Sequence, residues 1–89
     1  MKDVCRFQFE KGISDAVIES QIFLALKKIE RLFGKTKVWF RTSYFVSGGK
    51  AVIDITNEIG QETAREFAEL MISKVGRDKF TIKRTTIKN

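Results

Sequence analysis

The stretch KVWFRTSYFVSGGKAVIDIT, residues 37–56, decides the fold. Its first half is rich in β-branched and aromatic residues, Ser47-Gly48-Gly49-Lys50 carries turn chemistry, and Ala51 to Thr56 alternates again. This pattern predicts a β-hairpin with strands over 37–46 and 51–56. In its first strand Val38, Phe40, Thr42 and Tyr44 fall on one side, with Trp39, Arg41, Ser43 and Phe45 on the other. In its second, Ala51, Ile53 and Ile55 face the core.

Working outward, each strand of the hairpin is flanked by a helical pattern and then by another strand. Ahead of it, Ile18, Ile22, Ala25, Ile29 and Leu32 recur at spacings of four, three, four and three, with Leu26 and Phe33 widening the stripe. Ser14 suits the N-cap of this helix, Asp15 its first turn, and Gly34 a left-handed C-cap. Behind the hairpin, Ala64, Phe67, Ala68, Met71 and Val75 predict a second helix, starting between Asn57 and Gln61 and stopped by Gly76. Val4-Cys5-Arg6-Phe7-Gln8-Phe9 alternates strictly, with Cys5, Phe7 and Phe9 on one side, and makes the first strand. A last strand over 79–83 turns Phe80 and Ile82 inward, and the residues after it to Asn89 either extend it or fray.

The order is thus β-α-β-β-α-β in one domain spanning residues 1–89, an α+β two-layer sandwich. Right-handed crossovers favour the ferredoxin-like arrangement, a four-stranded antiparallel sheet in space order 4-1-3-2 with both helices on one face.

Size and composition bound the partners. A chain of 89 residues buries only about 60 to 65% of its unfolded surface, so self-association is a ready supplement to stability. No apolar run reaches the roughly 20 residues of a bilayer span, which sets aside a membrane partner. The strand-like N-terminus does not read as a secretory leader, and a cytoplasmic location is expected. With Cys5 alone and no histidine, neither an internal disulfide nor a Cys/His metal site can form, and no cofactor or metal is expected.

Constellations for chemistry are sparse. Gly34-Lys35-Thr36 imitates the end of a phosphate-binding loop, but Ile29 stands where that loop needs its first glycine, and the segment follows a helix instead of opening one. It reads as a helix C-cap and turn. Asp54 is a carboxylate in an apolar strand, expected to pair across the ladder with Arg6 or Arg41. Cys5 reads as an inert core thiol. No catalytic residue is assigned, and the chain reads as non-enzymatic.

What remains is surface. Residues 27–41 carry Lys27, Lys28, Arg31, Lys35, Lys37 and Arg41 against Glu30, and residues 77–89 are basic too, whereas Glu58, Glu62, Glu66 and Glu69 make 56–69 acidic around Arg65. Such polarity suits an anionic partner or self-association. An open sheet face bearing Arg6, Gln8, Trp39, Arg41, Phe45 and Lys83 is the first candidate interaction surface. Ile13, Val17 and Leu24 lie nearly opposite the core stripe of the first helix, with Phe23 to one side, so Val17, Phe23 and Leu24 form the competing one. The expected function is an interaction module that forms a homodimer or docks on another protein. The alternative is single-stranded RNA binding through the basic sheet face.

Overall fold

Alternation in the first nine residues produces strand β1 (Lys2–Phe9), the spine of the sheet, with Cys5, Phe7 and Phe9 buried on one face. The computed structural model describes residues 1–88, a slab of 33 × 31 × 18 Å whose thickness is that of one sheet and one helix layer. β1 leads into helix α1 (Asp15–Phe33), a short helix α2 (Lys35–Arg41), strand β2 (Tyr44–Ser47), strand β3 (Lys50–Asp54), helix α3 (Glu58–Val75), a 3-10 turn (Arg77–Lys79) and strand β4 (Phe80–Ile87). The four strands pair antiparallel in the order β2-β3-β1-β4, which from the other edge is the expected 4-1-3-2. Ile18, Ile22, Leu26 and Ile29 of α1 and Phe67 and Met71 of α3 close over Phe7, Phe9, Ala51 and Ile53, so both long helices cover one face.

Residues 37–41 are the main correction: they are helical and do not belong to a strand. Gly34, at φ 88°, ends α1 by donating its N–H to the Glu30 carbonyl, and its own carbonyl accepts from Val38 to open α2. The β-propensity of Val38-Trp39-Phe40 loses because no partner strand exists there. β3 stops at Asp54, whose N–H makes the last rung to the Ser43 carbonyl, and Tyr44 already pairs with Ile53. A residue such as Trp39 in a strand would have found nothing to bond. In the helix Val38 alone is buried, while Phe40, expected inward, is 86% exposed. The element order is therefore β-α-α-β-β-α-β.

Three smaller corrections follow from packing. Leu32 is 72% exposed, since the last turn of α1 packs on the core through Ile29 and Phe33 instead, and Gln21 takes a buried place on the stripe. Ile13 precedes α1 and packs on the core. Of the two expected endings β4 takes the extended one, to Ile87, while Ile82, though it faces the helix layer, is 48% exposed because β4 is an edge.

Gly60 lies inside the first turn of α3, where Asn57 caps by accepting the Gly60 N–H at 2.9 Å. A Cβ on Gly60 would stand 1.9 Å from the Asp54 carbonyl oxygen, so glycine is what lets α3 start against the end of β3.

Candidate interaction surfaces

The face of the sheet away from the helices is built by register. Arg6 lies opposite Val52 on one side and Lys83 on the other, and Val52 lies opposite Phe45. One row thus crosses all four strands as Phe45, Val52, Arg6 and Lys83, passing from an aromatic ring that is 65% exposed to two adjacent cations. Gln8 sits in the next row between Lys50 and Thr81. Four of the expected sheet-face residues, Arg6, Gln8, Phe45 and Lys83, are therefore together. Trp39 and Arg41 are not among them, because α2 carries both off the sheet.

The carboxylate on this face, Asp54, meets Lys2 at 3.9 Å and accepts the Thr56 N–H at 2.9 Å, in place of the expected pairing with Arg6 or Arg41. Its partial burial pushes the carboxyl up, but hydrogen bonding from Thr56 and the Lys2 charge outweigh this and hold it below the ordinary carboxylate value. Arg6 and Lys83 face each other without an ion-pair partner among the described residues. Two like charges directly opposite on a ladder are destabilising unless an anion lies between them.

A second surface forms where α2 folds back along α1. The Trp39 indole N–H donates to the Glu30 carboxylate, and its ring lies 6.0 Å from that of Phe23. Lys27 spans the same cluster, with Nζ 5.4 Å from the Phe23 ring centroid and 3.8 Å from Glu30. Phe40 follows Trp39 and projects into solvent. Phe23 and Trp39, assigned from sequence to two competing surfaces, are thus neighbours on one. Leu24 is exposed and Val17 partly so, on the flank of α1 where Lys28 reaches Glu66 of α3 at 3.6 Å.

Phe40 was hidden from sequence reasoning because strand parity points it inward. The signal that could have found it is Gly34 followed by Lys35 and Lys37, residues of low β-propensity and good helix propensity that allow a helix to restart at once.

Comparison with known proteins finds no match: no family model, curated protein or solved structure is significantly similar to the chain. Among the described residues no three His, Cys, Asp or Glu side chains converge as a metal site would require, and no helix is long and apolar enough to cross a membrane. Cys5 is buried, which pushes its thiol up despite the nearby Arg84 charge, opposite to what a nucleophile needs.

Proposed function

We propose that this chain is a small non-enzymatic interaction module that forms a homodimer through the α1–α2 surface, with Phe23, Trp39 and Phe40 at the centre of the contact. The observation that carries this reading is the half-exposed Phe23–Trp39 ring pair, with Phe40, the next residue of α2, 86% exposed. Exposed aromatic side chains in contact with one another are the composition of an interface centre. Lys35 and Lys37 would lie at the rim, solvated, while Lys27 stays over the Phe23 ring with its charge met by Glu30. The sheet order and the two long helices on one face also support classing the fold as ferredoxin-like, with α2 as an insertion.

Sedimentation equilibrium at low and high salt tests the reading. The wild type should dimerise, the Trp39→Ala/Phe40→Ala double variant should be monomeric, and added salt should leave the dimer intact or strengthen it by screening the rim lysines. A wild type that stays monomeric at millimolar protein overturns it.

A second reading, single-stranded nucleic acid on the open sheet face, is favoured by the facing cations Arg6 and Lys83 in one row with the exposed Phe45 ring. It predicts the opposite salt dependence, since binding that releases counterions weakens as salt rises.

A further inference from the structure

β4 is paired on one side only, by β1, and is twice as long as the opposite edge strand β2. An eight-residue edge presents unpaired backbone donors and acceptors along its outer side. Beside it, between β4 and α3, runs a groove of about 240 Å³ with an apolar floor that includes Phe7, Ala64, Ala68 and Ile82. The groove exists because α3 turns small side chains, Ala64 and Ala68, toward the edge strand and leaves Ile82 half-covered. Its volume is several times the roughly 30 Å³ of a water and below the ~300 Å³ where small-molecule pockets begin, which suits a protein side chain. On the β4 side the groove is cationic: Arg84 lines it, and Lys83, its neighbour on the other face of the strand, has no ion-pair partner among the described residues. Arg65, on the α3 side, is paired with Glu62.

We propose that β4 accepts an added strand from an extended, acidic segment of a partner protein, one of whose apolar side chains seats between Ile82 and the Ala64–Ala68 face of α3. Backbone pairing along the edge supplies affinity, and the groove supplies selectivity for alternate side chains. Charge complementarity fixes the occupant. Lys83 and Arg84 repel a second copy of β4 aligned on the same edge, which is how cations ordinarily guard an edge, and the same cations attract an acidic strand. A second copy has no acidic edge strand to offer: Asp3 and Asp54 lie on the central strands β1 and β3, and the other carboxylates lie outside the strands. β2 carries no charged residue. The inference concerns a surface separate from the α1–α2 patch and stands without it.

The test is a titration of isotope-labelled protein with a peptide of alternating Glu and Leu, followed by amide shifts. Expected are shifts over residues 80–87 and around Ala64 and Ala68. Affinity should fall roughly tenfold for Ala68→Leu, which fills the groove, and for Lys83→Glu combined with Arg84→Glu. Ile82→Glu, at an exposed edge position, should weaken binding equally with the core untouched. The same peptide N-methylated on alternate amides, in the frame that faces β4, should not bind. Shifts centred on α1 and α2, equal binding in both N-methylated frames, no shift at millimolar peptide, or displacement of the peptide by a single-stranded oligonucleotide would each overturn the proposal.

Discussion

Asp15 accepts the Gly49 N–H at 2.8 Å through one carboxylate oxygen and the Gly48 N–H at 3.0 Å through the other. The first residue of α1 therefore holds the tip of the β2–β3 hairpin, more than thirty positions away in the chain. Both glycines have positive φ, 59° and 77°, and that turn aims their N–H groups together at one anion. From sequence, Asp15 is only a favourable charge at a helix start.

Replacing Asp15 by Ala removes an acceptor from two backbone donors and a charge from the helix dipole, so the expected loss is about 2 kcal/mol. Urea denaturation should show it as a lower midpoint at unchanged slope. Asp15→Asn, which keeps one acceptor oxygen, should recover part of the loss. Equal stability of Asp15→Ala and wild type would show that the hairpin tip holds itself.

Gly60→Ala sets two effects of opposite sign against each other. Helix propensity favours alanine by about 1 kcal/mol. The new methyl, however, falls on the Asp54 carbonyl, which is backbone and can yield only by displacing α3 or β3. Overpacking of this kind costs about 3 kcal/mol or more, so the net expectation is a loss of at least ~2 kcal/mol, or roughly 8–16 °C in melting temperature for a domain of this size. An unchanged melting temperature would mean that α3 starts further from β3.

Much of the fold was legible because periodicity reports burial. The α1 bounds, the Ser14 and Gly34 caps, the alternation of β1 and the strand order all follow from local pattern and crossover handedness. The stretch around Trp39 was not legible, since whether it is helix or strand depends on where β3 ends, and that is set by Asn57 and Gly60 starting α3. The candidate site inherits this error: Arg6, Gln8, Phe45 and Lys83 stay on the sheet, while Trp39 joins Phe23 on the other surface. Sequence likewise could not assign Lys2 to Asp54, because that contact runs diagonally from the β1 terminus.

Asp54 makes stability depend on acid. Its carboxyl is held lower in the folded protein than in the unfolded chain, so the folded state favours the ionised form. The stabilisation is complete above the unfolded value near 4 and is lost as pH falls through the lower folded value. Denaturation midpoints of wild type and Asp54→Asn should therefore differ at neutral pH and converge below about pH 4. Parallel curves down to acid would place the origin of the difference in packing instead of charge.

The helical assignment of 35–41 separates two neighbouring residues that a strand would treat alike. In a strand Val38 and Phe40 share a face, and truncating either would cost stability. In α2 Val38 is fully buried against the core while Phe40 stands in solvent. Val38→Ala should therefore lose about 2 kcal/mol through lost burial and the void left behind. Phe40→Ala should fall within about 0.5 kcal/mol of wild type when both are measured at protein concentrations too low for association. At higher concentration the order of interest reverses: Phe40→Ala, neutral in the monomer, is expected to lower the apparent stability of a wild type that dimerises, because only the dimer couples that ring to folding. A monomer-level loss at Phe40 as large as that at Val38 would return residues 37–41 to the sheet and dissolve the aromatic surface on α1 and α2.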